Sequence, residues 1–355
     1  MLEIWKRCGA VIAPETGRPL HFGDPEAELR CALDSCALVD RSDDSRLLAT
    51  GPDFLGLLHR LSTGDVASLV EGQGKPTVLT TPKGRIVERL YVHHLGEAGV
   101  LAVGGPGSGK PVTEHLARYT FAEQIGLEQT TRRTFQLAVI GPRAGASLKD
   151  MDLPERFRSR SVSIAGVPLQ ALGQDGLSGD GFSITGNADD AAAVWQTLST
   201  LVEQAGGRAA GDEALEAWRV LRGLPASGHE LTEEYNPLEA GLWEAVSFDK
   251  GCYVGQEVVA RLRTYDKVSR TLVGLELRAE SVTHPPGTKL YLGDGPVGTL
   301  TSMAWPAGLS APVGLAYLKT RVLRPGQELR VGKRGDIKAR VVKLPFPRWT
   351  VSLTT

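Results

Sequence analysis

The chain has 355 residues, more than one ordinary hydrophobic core organises, so two or three domains are expected. With 41% hydrophobic residues, 23% charged residues and a formal net charge of −1, the composition is globular and lacks the basic excess of a bulk nucleic-acid or membrane binder. Four cysteines, at positions 8, 31, 36 and 252, are too few for a disulfide scaffold and point to a reducing compartment. The longest apolar runs, such as GVLAVGG, fall far short of the ~20 residues that span a bilayer. The opening MLEIWKRCGAVIAPETG lacks the basic start, apolar stretch and cleavage site of a signal peptide, so a cytoplasmic location is expected.

In chain order, DPEAELRCALDSCALVDR reads as a helix with Asp24 at its N-cap and Pro25 in its first turn. On such a helix Cys31 and Cys36 are small core residues rather than a metal pair. SRLLATG is a short strand, and GPDFLGLLHRLSTGD a helix with Phe54, Leu57, Leu58 and Leu61 on one face. TVLTTPKGRIVERLYVHHL is a hairpin turning at Pro82-Lys83-Gly84, followed by the strand GVLAVGG and the helix VTEHLARYTFAEQI. A second alternation has strands in TFQLAVIGP, VSIAGVPLQALGQ and GFSITG, then a helix capped by Asn187. A further helix, GDEALEAWRVLRGLP, stops at Gly223 and Pro225. After about Thr264, short β-runs between Gly and Pro turns read as a small antiparallel barrel or sandwich. The expected organisation is α+β: an N-terminal domain over 1–131, a second over 132–245, a junction segment over 246–264, and a β-barrel over 265–355.

Two glycine motifs lack their structural context. GGPGSGK, Gly104 to Lys110, has phosphate-loop spacing, but Pro111 stands where a magnesium-binding hydroxyl is required, so a glycine turn explains it better. GDGPVG, Gly293 to Gly298, lies between short β-runs with no βαβ unit, and reads as a hairpin turn.

The densest chemistry lies in FDKGCYVGQEVVARLRTYDKVSR, at the expected domain junction, where ligand sites often form. A thiolate is favoured by a nearby cation, and Lys250 shares a face with Cys252 if the segment is extended. Gly251 and Gly255 permit close backbone approach or positive φ. Gln256 and Glu257 open a helix or strand and could bond a ligand or orient Lys250. The residues alone leave Cys252 open between an activated thiol and a small buried one. With no second cysteine or histidine nearby, a metal site is not expected.

KGCYVGQE, Lys250 to Glu257, resembles the K-G-C-[FY]-x-G-Q-E signature of the YgfZ-type folate-binding proteins, relatives of the glycine-cleavage aminomethyltransferase. YNPLEAGLWEAVSFD upstream, and GPDFLGLLHRLSTGDVASL, GQG, PKGRIVERLYV and LAVIGPRA farther back, are similar to that family in order and spacing. The resemblance covers roughly Asp40 to Leu344. It implies an aminomethyltransferase-like fold of three domains around a central opening that holds tetrahydrofolate or another reduced folate, with a terminal barrel. It also implies a role in making or maintaining iron–sulfur proteins, tRNA-modifying enzymes among them. Position by position, Lys250 and Cys252 take the working positions of the signature, and Tyr253, Gln256 and Glu257 match it as folate-side residues. Thr63 and Asp65 in STGD resemble T-N-D, with Gly64 for asparagine, and Arg219 takes the arginine of L-R-x-E-x-G as a candidate for the folate glutamate tail.

Three departures weigh against aminomethyl transfer: Leu221 replaces the glutamate of that helix motif, Glu88-Arg89 replaces an acidic pair, and Gly179 replaces the pterin-contacting glutamate. Lys83, Arg85 and Arg89 remain as positive charge for a polyglutamyl tail or as an exposed hairpin tip. The expected function is therefore a monomeric accessory protein with reduced folate and iron–sulfur client or assembly proteins as partners, and no direct nucleic-acid or membrane contact. A folate-dependent one-carbon transferase is the alternative.

Overall fold

The computed structural model describes residues 1–148, 151–173, 181–265, 267–278, 285–305, 309, 311–333 and 337–347. Three large sheets organise them, beside a two-stranded ribbon of Val11–Ile12 and Pro19–His21. The first is five-stranded and antiparallel, in the order Gly74–Thr80, Ile86–His94, Val100–Pro106, Asp44–Thr50, Gly126–Gln129. The helix Phe54–Leu61 presses Phe54, Leu57, Leu58 and Leu61 onto this sheet, as the 3.6-residue spacing of its apolar positions requires. The helix Gly109–Ala117 adds Val112 and Leu116 to the same core.

The second sheet has six strands, in the order Ser159–Ile164, Val167–Gly173, Phe182–Asn187, Thr134–Ile140, Ala37–Asp40, Arg208–Ala209. Its helix, Ala191–Gln204, buries Trp195 completely among apolar neighbours. The strand Ala37–Asp40 crosses over to this sheet, pairing antiparallel with Thr134–Ile140 and parallel with Arg208–Ala209. A boundary at 131/132 therefore leaves one strand of the second sheet on the N-terminal side.

That strand also revises the reading of the first helix. Asp24 caps it as expected, accepting from the Ala27 N–H at 3.0 Å, but the helix ends at Asp34. All four residues of Ala37–Asp40 are buried, a load that a strand inside a sheet accommodates and one helix face does not. Cys36 is fully buried at the start of this strand, and Cys31 is half-buried on the helix.

The third sheet closes into an antiparallel barrel of six strands, Arg270–Arg278, Val313–Lys319, Gly295–Ala304, Lys289–Leu292, Glu328–Val331 and Ile337–Val342 in spatial order. Closure leaves no free edge. GDGPVG is the expected hairpin turn between two of these strands. The helix Asp212–Arg222 ends at Gly223, whose φ of 72° is the left-handed conformation of a helix C-cap. The chain from Leu224 to Gly255 has little regular structure and threads between the three sheets, where Tyr235 stacks on Tyr317 of the barrel at 3.5 Å. Among the described residues, no helix is long and apolar enough to cross a membrane.

Candidate functional site

The signature segment is fastened from below by its lysine. Lys250 Nζ donates to the carbonyls of His59 (2.6 Å), Ser62 (2.8 Å) and Gly64 (2.7 Å), which gather at the end of the helix Phe54–Leu61. Orphan carbonyls at a helix terminus suit an ammonium, which offers three donors and a charge opposite to the local dipole. Burial pulls the Lys250 pKa down to about 8 against the opposing pull of Asp65, so the ammonium persists at neutral pH. Asp65 itself is partly exposed and stands 3.3 Å from His59 Nδ1.

Around this staple the chain is locked at several points. Thr63 Oγ1 donates to the Ala245 carbonyl at 2.5 Å, and the Ser247 N–H donates to the Thr63 carbonyl at 2.8 Å. Thr80 Oγ1 donates to the Val254 carbonyl at 2.5 Å. Gly255 has φ 84°, and a Cβ there would sit 2.6 Å from the Thr81 carbonyl oxygen and 2.9 Å from the Gly84 Cα. That crowding admits only glycine and starts the helix Gln256–Thr264 against the hairpin turn.

The signature side chains then divide by position. Tyr253 is buried beneath the Lys250 ammonium, 5.1 Å from its ring centroid, and burial pushes its hydroxyl up to about 12. Cys252 and Gly251 are exposed. Gln256 is half-buried, while Glu257 is exposed and pairs with Arg261 at 2.7 Å. Asp65, Lys250, Cys252, Tyr253, Gln256 and Glu257 thus belong to one neighbourhood, with the thiol on its outer face. Cys8 is exposed as well, so accessibility alone does not single out Cys252.

Arg219 lies elsewhere, in a cavity of about 370 Å³ bounded by the helix Asp212–Arg222, the hairpin of the first sheet and the Leu224–His229 segment. All five of its N–H donors are engaged. It grips Glu216 with Nε and one terminal nitrogen, and donates to Glu230 at 3.0 Å, the Leu224 carbonyl at 2.8 Å and Ser302 Oγ at 2.7 Å. A carboxylate ligand would have to displace one of these partners. Leu221, two residues on, is buried in the central core.

A second cavity, of about 390 Å³, opens on the side of Trp243, Leu242 and Pro345. The two share four lining residues: Arg89, Tyr91, Leu224 and Pro225. The expected central opening is therefore represented by two chambers that adjoin at these four residues, the neck. At that neck the Arg89 guanidinium lies over the Tyr91 ring, 5.0 Å from its centroid, and its Nε is buried with no hydrogen-bond partner among the described residues. Its neighbour Glu88 is buried, accepting from Ser227 Oγ at 2.5 Å and from the Arg89 backbone N–H at 2.9 Å. Burial raises the Glu88 pKa, against those hydrogen bonds and the Arg89 charge.

Sequence reading placed Arg89 on a hairpin strand and weighed its charge, but did not find the neck. The available signal was the alternation of Arg89, Tyr91 and His93 along one strand. The glycine turn of GGPGSGK also has a local explanation. Ser227 occupies the space where a Cβ of Gly105 would be, and the Gly109 N–H that opens the next helix already donates to Ser45 Oγ at 2.8 Å. Gly179 lies outside the described residues.

Residues 1–250 match the family model of the GCVT N-terminal domain, and residues 270–347 match that of the glycine cleavage T-protein C-terminal barrel domain. A chloroplastic protein of Arabidopsis thaliana that carries a provisional transferase name is 32% identical over 338 residues, covering 94% of this chain and 76% of its own. An aminomethyltransferase of Symbiobacterium thermophilum is 29% identical over 365 residues, covering 98% and 96%. The crystal structure of the glycine cleavage system aminomethyltransferase T from Bartonella henselae superposes with a TM-score of 0.82 at 22% identity, over 99% of this chain and 98% of that one, which shows a common fold. With both domain models matched in order and the first covering most of the chain, this protein belongs to the glycine-cleavage T-protein family of aminomethyltransferase relatives.

Proposed function

We propose that this protein is a folate-binding accessory factor of the YgfZ type that supports the assembly or repair of iron–sulfur proteins. One observation carries the choice over aminomethyl transfer. At the position of the family's acidic pair, Glu88 is buried and held by Ser227, and the adjacent side chain is the cation Arg89. A group that must accept or relay a proton needs access to the reacting atoms, and neither side chain offers a free carboxylate.

A reduced folate fits the chambers in character and in size. Each lies at the small end of the roughly 300–1,000 Å³ usual for cofactor sites, so a pterin fills one and an extended molecule continues past the neck into the other. Tyr91 offers an aromatic wall and the Arg89 guanidinium a positive charge. Bound folate would supply a one-carbon carrier; the chain's own residues would bind and orient it. Asp65, Tyr253, Gln256 and Glu257 line neither chamber, so we assign them to the support and outer face of the signature segment. Cys252 is then the exposed working thiol toward iron–sulfur client or assembly proteins, with Lys250 as its anchor. We take the protein to act as a monomer in the cytoplasm.

Calorimetric titration with 5-formyltetrahydrofolate tests the first half: saturable binding is expected, and none would sink it. Cells carrying only Cys252→Ala test the second half. They should lose [4Fe–4S] enzyme activity while the protein itself stays folded; full complementation by the variant would end the role of the thiol. The second reading, a folate-dependent one-carbon transferase, is favoured by the aminomethyltransferases that align over nearly the whole chain. Transfer of a one-carbon group from a supplied donor, such as an aminomethyl group on a carrier thiol, to tetrahydrofolate by the purified protein would establish it.

A further inference from the structure

Where the helix Gln256–Thr264 meets the barrel, the surface carries cations that the chain's own carboxylates do not neutralise. Arg263, Lys267 and Arg270 have no carboxylate partner among the described residues, and each lies instead over an aromatic ring. Arg263 covers Phe248 at 4.0 Å, Lys267 covers Tyr265 at 5.2 Å, and Arg270 covers Tyr235 at 5.8 Å. A ring face holds a cation in place without cancelling its charge, so the positive field stays open to solvent. Arg321 adds a fourth exposed cation, at the edge of a surface cavity of about 630 Å³. These residues form one surface. Phe248, Leu262 and Val268 pack on one small core, the Thr320 N–H donates to the Ser269 carbonyl at 3.0 Å, and Arg270 stands opposite Lys319 in the barrel.

We propose that this surface docks an acidic segment of a partner protein, one that carries an apolar side chain among its carboxylates. The cations face the carboxylates, and the cavity receives the side chain. Leu238, Val268 and Leu272 line that cavity together with Trp243, which is 48% exposed. The one carboxylate in its lining, Glu239, is buried and already engaged by the Asn236 N–H at 3.2 Å and Ser269 Oγ at 3.1 Å. It therefore leaves the outer charge positive. Arginine, tryptophan and tyrosine gathered at an exposed site are the residue types that carry most binding energy in protein interfaces, and Tyr265 is 63% exposed. A nucleic acid suits the surface less well. Its bases stack on open rings, and Arg263 and Lys267 already cover a face of Phe248 and of Tyr265. Docking here requires neither bound folate nor the Cys252 thiol.

The test is fluorescence anisotropy of the full chain with a short labelled peptide of glutamates and aspartates around a central phenylalanine. Three further probes are the same peptide with serine at its centre, the same peptide with lysine for every acid, and a labelled oligouridylate. The proteins are wild type, the double variant Lys267→Glu, Arg321→Glu, and the neutral pair Lys267→Gln, Arg321→Gln. Wild type is expected to bind the acidic phenylalanine peptide saturably and the lysine peptide not at all. The charge-reversed variant should bind at least about ten-fold more weakly, with the neutral pair between them, and rising salt should weaken wild type most. The serine peptide should lose several-fold in affinity. Both side chains are exposed and neither lines the two chambers, so all three proteins should melt alike and titrate alike with 5-formyltetrahydrofolate. Absence of peptide binding by wild type, or equal binding by the charge-reversed variant, overturns the proposal whatever the folate titration shows. Equal affinity for the serine peptide removes the cavity from the interface and also overturns it. Tighter binding of oligouridylate than of the acidic peptide would make this a nucleic-acid surface instead.

Discussion

Arg219 and Glu230 meet at 3.0 Å, and this pair fastens the helix Asp212–Arg222 to the barrel. Glu230 is fully buried and also accepts from Ser302 Oγ at 2.7 Å and the Ala226 N–H at 3.0 Å, while Tyr317 donates to its backbone carbonyl at 2.9 Å. Ser302 and Tyr317 are barrel residues. One buried carboxylate therefore joins two elements that are far apart in sequence.

Glu230→Gln should destabilise the protein on the order of 3 kcal/mol, because it leaves the Arg219 charge without its buried partner and turns an amide donor toward other donors. Urea unfolding checks this. Loss of the barrel transition before the rest would locate the damage, and an unchanged midpoint would show that the network is dispensable.

Lys250→Met should cost a similar amount, on the order of 3 kcal/mol, by orphaning the carbonyls of His59, Ser62 and Gly64 together. Lys250→Arg should not rescue it, since a planar fork cannot reach three converging oxygens in place of a tetrahedral ammonium. Thermal unfolding of the three proteins decides the point. Hydrogen exchange in the Met variant should rise first at the end of the helix Phe54–Leu61 and in the signature segment.

His93 sets an acid limit on stability. It is buried, neither ring nitrogen has a hydrogen-bond partner among the described residues, and burial pushes its pKa down to about 4. The unfolded chain binds a proton near pH 6.5 that the folded chain refuses until about pH 4. Stability is therefore intact above pH 6.5 and falls as pH drops through that window, by up to about 3 kcal/mol. His93→Leu should flatten this part of the curve. Unfolding free energies of both proteins at pH 7, 5.5 and 4.5 isolate the contribution as a difference.

Alkylation of the native protein, followed by mass spectrometry, should label Cys252 and Cys8 rapidly and leave Cys36 untouched. Cys31 should react slowly, since burial raises its thiol pKa and lowers its thiolate fraction. Rapid labelling of Cys36 without denaturant would contradict its place in the second sheet.

What the sequence disclosed was local. The Asp24 cap, the four apolar residues of the helix Phe54–Leu61, the stop at Gly223 and the turns of the barrel each follow from neighbours a few residues apart. The strand Ala37–Asp40 was hidden because its partners lie in later parts of the chain, and a short apolar run suits either helix or strand. At the candidate site, KGCYVGQE singled out Lys250, yet the bonds that Lys250 makes depend on carbonyls nearly two hundred positions earlier. The engagement of Arg219 and the isolation of Arg89 are properties of the assembled charges, and no spacing rule encodes them.

The passage of Ala37–Asp40 into the later sheet fixes an order of assembly. As the chain emerges during synthesis, the strands from Asp44 to Gln129 already contain every partner of the first sheet and can close on themselves. Ala37–Asp40 must wait for Thr134–Ile140 on one edge and for Arg208–Ala209 on the other. Through that interval four residues destined for complete burial are tethered beside a finished module with neither edge covered. The nascent chain is thus most open to aggregation or chaperone capture while residues 130 to 209 are being made, and slowing translation there would lengthen that exposure.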